Sequence, residues 1–154
     1  MTPPDPHPIA PVVRRPRLFL DEDMSERILD VLAELRIDAV SANRGFKGLW
    51  DPDQLLTAIE LGRTMATANT GDFLLLHRAW LAWSANWDLR TMPRHHGILL
   101  IHSAKGFDYV GIAGVLRAFV DDHEVAEIEN RAFAWTHRDG WHERQEPRPT
   151  ARRR

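Results

Sequence analysis

Cysteine is absent from the 154 residues, which excludes disulfides and thiolate metal sites and is compatible with a reducing cytosol. No apolar run approaches the ~18 residues that a membrane span needs, and the first residues lack the pattern of a secretory leader. The expectation is a cytoplasmic protein that makes no membrane contact. Charge of one sign is also scarce. A formal net charge of −2 gives no global attraction for nucleic acid, so any such binding must come from a local basic patch. There is no internal repeat. What remains, 44% hydrophobic and 27% charged residues, describes an ordinary globular chain long enough for one domain with a proper core.

Proline marks the two ends. Six of the ten prolines fall within the first sixteen residues, which rules out a helix or central strand there and predicts a flexible or draped arm over 1–16. Residues 146–154, with Pro147, Pro149 and three terminal arginines (Arg152, Arg153, Arg154), predict a flexible basic tail. Between them, residues 17–145 alternate short apolar runs with helical periodicity. Strands are expected at 17–20, 38–41, 64–67, 97–102 and 129–136. Helices are expected from Ser25 as a cap, from Asp51, from about Asp72 to Trp83, and from about Asp108 to Asp121. Asp51-Pro52-Asp53-Gln54 reads as a helix start, with Asp51 as N-cap, Pro52 at the first helical position and Gln54 completing a capping box. Gly62 suits the turn that ends that helix. The order predicts an α/β fold: a three-layer α/β/α sandwich on a mainly parallel, Rossmann-like sheet of four to five strands.

Chemistry is concentrated where strands end. Arg17 to Asp23 reads Arg-Leu-Phe-Leu-Asp-Glu-Asp, an apolar strand running straight into three acids. Open α/β sheets bind ligands at that edge, and adjacent carboxylates repel unless something positive joins them. Alternation puts Asp21 and Asp23 on one side, with Glu22 in reserve. Capping accounts for Asp51, so Asp53 is the better candidate from the second helix. Asp72 and Asn69 follow the third strand. Carboxylates with no histidine or cysteine suit Mg²⁺ or Mn²⁺, ions that activate water for attack on a phosphodiester.

Leu20-Asp21-Glu22-Asp23, Asp51-Pro52-Asp53-Gln54-Leu55 and Met65-Ala66-Thr67-Ala68-Asn69-Thr70-Gly71-Asp72-Phe73 together resemble the PIN-like nucleases, and more narrowly a small bacterial, toxin-like group of that superfamily. The continuation through Leu76-His77-Arg78-Ala79-Trp80 and His96-Gly97-Ile98-Leu99-Leu100 is similar too, so the resemblance spans roughly residues 17–101. It implies a Rossmann-like sandwich, acids holding Mg²⁺ or Mn²⁺, and cleavage of RNA, often as the toxin partnered by an antitoxin protein. Carried over, Asp21 is the acid ending the first strand and Asp23 its neighbour. Asp53 (or Asp51) is the acid opening the second helix, and Asn69 and Asp72 are the polar positions after the third strand. The expected catalytic set is therefore Asp21, Asp23, Asp53, Asp72 and Asn69, with the four aspartates as metal ligands. Asn69 stands where many such sequences carry Asp, which keeps open the alternative of a non-catalytic PIN-like module binding RNA or protein.

Other residues are read more plainly. His95 and His96 precede a strand in a basic loop and are expected to be solvated. His77 is expected to be structural or exposed. Trp80, Trp83 and Trp87 near one helix face suggest core or a contact between copies in a homo-oligomer. Arg44, Lys47, Arg63, Arg78 and Lys105 are candidates for steering a phosphate backbone.

Overall fold

The computed structural model describes residues 12–86, 93–102 and 108–145. Most of the expected arm, the basic tail, Trp87 and Lys105 lie outside the described residues. Residues 12–16 form neither helix nor strand, and the Arg14 carbonyl accepts from the Val125 N–H at 2.9 Å. The elements are β1 (Leu18–Leu20), α1 (Glu26–Glu34), β2 (Ala39–Ser41), α2 (Asp51–Glu60), β3 (Thr64–Thr67) and α3 (Thr70–Asn86), followed by β4 (Ile98–Ile101), α4 (Tyr109–Asp122), α5 (Val125–Ile128), β5 (Ala132–Thr136) and β6 (Gly140–Glu143).

The six strands form one sheet in the order β2-β1-β3-β4-β5-β6, parallel throughout except for β6. The strand count thus exceeds the expected four to five. The additional strand is the return arm of a hairpin turned at Asp139-Gly140, where Gly140 takes a positive φ of 65°. With Trp141 its one apolar residue, β6 offers no hydrophobic alternation for a sequence reading to find. Helix starts follow local chemistry: Ser25 caps α1 by accepting from the Arg27 N–H, Asp108 caps α4 by accepting from the Gly111 N–H, and Glu124 and Glu127 form a capping box on α5.

Alternation along the strands divides the core into two clusters, one on each face. Leu18, Leu20, Ala66, Leu99, Ile101 and Phe133 pack against Ile28 and Leu32 of α1 and against Ala113, Leu116 and Phe119 of α4. Phe19, Met65, Ile98, Leu100 and Ala132 pack against Leu55 and Ala58 of α2 and Phe73 and Trp80 of α3. Each fully buried large side chain contributes about 1.5–3 kcal/mol, so both faces are firmly held.

The distribution of helices sets the hand of each crossover. The β1-to-β2 step runs one way along the sheet with α1 on the first face, and the steps to β3 and β4 run the other way with α2 and α3 on the second face. Those three crossovers share a hand. The β4-to-β5 step continues in the direction of the previous two, yet α4 packs with α1, so this crossover has the opposite hand. Such reversals are rare. A physical reason is at hand: the chain after β5 becomes a hairpin rather than a helix, and α1 alone leaves half of the first face uncovered. The core cluster of the second face joins α2 and α3 to Ala132 and Ala134 of β5.

No helix of the described residues is long and apolar enough to cross a membrane.

Candidate metal centre at the carboxyl edge

The order β2-β1-β3 makes the gap between β1 and β3 the topological switch point, where chain connections diverge and leave a crevice beyond the carboxyl ends. Asp21 follows β1 directly and Asn69 stands two residues past β3. The sequence thus delivers its polar residues to the place the topology leaves open.

Asp21 is almost fully buried. Its Oδ2 accepts from the Thr67 hydroxyl at 2.7 Å, and its Oδ1 accepts from the Glu22 N–H at 2.7 Å. Thr67 in turn accepts from the Asn69 N–H at 2.9 Å, so one hydroxyl ties the end of β1 to the end of β3. Burial pushes the Asp21 carboxyl above its ordinary range. The two hydrogen bonds oppose that push, and the charges of Asp23 and Asp51 reinforce it.

Asp51 and Asp72 complete the acidic group. Burial raises the Asp51 carboxyl as well, followed by repulsion from Asp72, Asp23 and Glu22. The Asn69 Nδ2 lies 3.0 Å from Asp72 Oδ2 and 3.5 Å from Asp51 Oδ2, so its amide sits between two carboxylates. Asp23 is exposed but acts electrostatically on both Asp21 and Asp51. Glu22 is half-buried, and its carboxylate accepts from the Gly48 N–H in the loop before α2. Asn43 fixes the same turn from β2, donating to the carbonyls of Glu22 (3.0 Å) and Met24 (3.2 Å).

Several expectations change here. The N-cap of α2 is Trp50, not Asp51, and no side chain caps that helix end. Asp51 is the first helical residue, freed from capping and held half-buried against the other acids. Gln54 completes no capping box; it is buried and donates to the Leu49 carbonyl at 3.2 Å. Asp53 follows two positions later, about 200° around the helix. It is exposed, and its recorded hydrogen bond is through its backbone carbonyl, which accepts from the Thr57 hydroxyl. The structure therefore brings Asp21, Asp23, Asp51, Asn69 and Asp72 together and turns Asp53 away. Asn69 also has a helical role, because its carbonyl accepts the Phe73 N–H at the start of α3. Thr67, which sequence reasoning missed, announced itself only as a hydroxyl at a buried strand end.

The donor set of carboxylate and amide oxygens suits a hard divalent cation. None of Asp21, Asp23, Asp51 and Asp72 forms an ion pair among the described residues. No three of these groups, as they stand among the described residues, converge closely enough to enclose an ion. Two of the suggested basic residues are committed elsewhere. Arg44 pairs with Asp30 at 3.3 Å, and Arg63 pairs with Asp38 at 2.7 Å beside the amino ends of the strands.

The histidines depart furthest from expectation. His95 is fully buried rather than solvated, and its Nε2 lies 2.9 Å from Nδ1 of buried His77. Its backbone is locked to Asn130 by two hydrogen bonds of 2.9 Å. The Gly97 N–H donates to His95 Nδ1 at 3.1 Å, so that nitrogen carries no proton. Burial, followed by the charges of His77 and His96, lowers His95 to about 3, which keeps the ring neutral. The His95 proton therefore sits on Nε2 and is donated to His77.

Comparison with family models, with curated proteins and with solved structures gave no match.

Proposed function

We propose that the chain is a PIN-like, divalent-metal-dependent endoribonuclease. The observation that carries this reading is the group of carboxylates gathered at the β1/β3 switch point without a cationic partner. Asp21, Asp51 and Asp72, supported by Asp23, would hold Mg²⁺ or Mn²⁺. When bound, such an ion supplies Lewis-acid polarisation of a phosphoryl oxygen and a water of lowered pKa. Thr67 holds Asp21 in one orientation and keeps its second oxygen bonded within the protein. Asn69 orients polar groups between Asp51 and Asp72. Asp53 has no part in this version of the site. The toxin role, with an antitoxin protein as partner, is carried by the sequence resemblance.

The test is cleavage of single-stranded RNA in Mn²⁺ by the wild type and by Asp21→Asn and Asp51→Asn. Both variants are expected to lose cleavage while retaining the wild-type circular dichroism. An undiminished rate in Asp21→Asn sinks the proposal. A second reading, a non-catalytic RNA- or protein-binding module, is favoured by the Asn69 amide lying between two carboxylates and by the absence of three converging ligands among the described residues. Calorimetric titration with Mn²⁺ separates the two, since the module reading predicts no binding at millimolar metal.

A further inference from the structure

The reversed fourth crossover leaves a cleft on the second face of the sheet. Strand alternation places Leu100 and His102, then Ala134 and Thr136, then His142 and Arg144 on that face, and α3 walls one side with Thr70 and Leu74. The cavity measures about 350 Å³, within the range of pockets that hold one small ligand. Its floor is apolar, formed by Leu74, Leu100 and Ala134. Its polar rim holds His102, His142 and Arg144, and no carboxylate lines it. Arg144 is exposed and has no acidic partner among the described residues. An apolar floor with an arginine and imidazole donors on the rim is complementary to a nucleotide: a flat base below and a phosphate above.

Position adds to composition. Thr70, at the cleft's inner wall, directly follows Asn69 and lies two residues before Asp72. Asp72 lies about 200° around α3 from Thr70 and lines a separate hollow with Asp51, so the first turn of α3 stands between the cleft and the acidic group, whose negative charge would repel a phosphate backbone. A strand of RNA that reaches the carboxylates needs a cationic anchor away from them, and Arg144, across α3 beside Ala132, is placed to supply one.

We infer that the cleft between α3 and β4–β6 is a nucleotide subsite that seats one base of single-stranded RNA on Leu74, Leu100 and Ala134 and its phosphate against Arg144 and His142, which are neighbours on one face of the last strand. This inference rests on the ribonuclease reading for the identity of the strand, but its test needs no cleavage. A fluorescein-labelled hexaribonucleotide is titrated with the full chain in EDTA and followed by anisotropy. Arg144→Glu is expected to weaken binding about tenfold and to lower the salt dependence by about one phosphate contact, with no change in melting temperature. Ala134→Phe, which fills the floor without altering charge, is expected to weaken binding of the hexamer but not that of an abasic ribose-phosphate hexamer. Asp21→Asn is expected to bind in EDTA at least as tightly as the wild type. Unchanged affinity in Arg144→Glu overturns the subsite, as does equal binding of the abasic and normal hexamers by the wild type. If Asp21→Asn still cleaves while Arg144→Glu fails to bind, the metal-centre reading falls and the subsite stands.

Discussion

Acidification is expected to destabilise this fold through His95, well above the range in which most carboxylates titrate. The buried ring takes up a second proton only near pH 3, whereas in the unfolded chain it does so near 6.5. The sign follows directly: the unfolded state binds the extra proton, so stability falls as pH drops below 6.5 and stops falling only near 3. Each pH unit within that window costs about 1.4 kcal/mol, so the loss by pH 5 is about 2 kcal/mol and the full effect at most about 5 kcal/mol. Domains of this size have about 5–15 kcal/mol in total, which makes the loss readily measurable. Urea denaturation between pH 7.5 and pH 5 gives the slope, with His95→Gln as the comparison. Glutamine places an amide nitrogen near the Nε2 position and can still donate to His77, but it does not titrate. Other ionisations, including Glu143, are shared by both proteins and cancel in the difference. Glu143 is held low by its hydrogen bonds to Arg131, so its own contribution is lost only as pH falls below about 4.5. Parallel slopes for wild type and His95→Gln between pH 6.5 and 5 would refute the argument from His95.

Asp21 gives the opposite sign. Its folded carboxyl is raised, so stability is greatest below the unfolded value of 3.8 and declines as pH rises through the folded one. Asp21→Asn is therefore expected to raise the melting temperature at pH 7 while abolishing cleavage; a lower melting temperature counts against it. Mn²⁺ is expected to stabilise the wild type by about 1.4 kcal/mol for each tenfold excess over Kd, seen as a raised melting temperature, and to leave Asp21→Asn unmoved in thermal scans. Thr67→Val removes the hydroxyl shared by Asp21 and the Asn69 N–H, and should cost about 1–3 kcal/mol in urea denaturation and slow cleavage. Gly97→Ala meets a φ of 94° and contacts of 3.2 Å to Ile128 and 3.3 Å to Thr64, and should cost about 1–3 kcal/mol by the same assay.

What the sequence disclosed was whatever depends on local pattern. Leu18–Leu20 is apolar without a break and stops at Asp21, so a strand ending in an acid was legible, as was Ser25 as a cap. The choice between Asp51 and Asp53 was not. It turns on which residue begins α2, and the capping preference pointed to Asp51 when Trp50 holds that place without a side-chain bond. One residue of shift rotates every following side chain by about 100°. The burial of His95 was equally hidden, because it depends on Asn130, 35 residues away, and on the helix that brings His77 alongside. The side of the sheet taken by α4 depends on what β5 leads into, which no local window contains.

The two edges of the sheet treat buried polar groups in opposite ways, and that contrast bears on function more than either edge alone. At the amino end of β4, His95 satisfies both ring nitrogens inside the protein, stays neutral, and is enclosed by Gly97 and Asn130. This is how a polar group is stabilised when its role is to hold the fold together. At the carboxyl ends of β1 and β3, the chain instead gathers Asp21, Asp51 and Asp72 where each raises the cost of the next, with one amide and one hydroxyl to moderate them. A core built for stability alone would hold neutral groups there, as it holds neutral His95 at the opposite edge. Unrelieved charge at a topological switch point is the arrangement expected when the missing counter-charge arrives with a ligand.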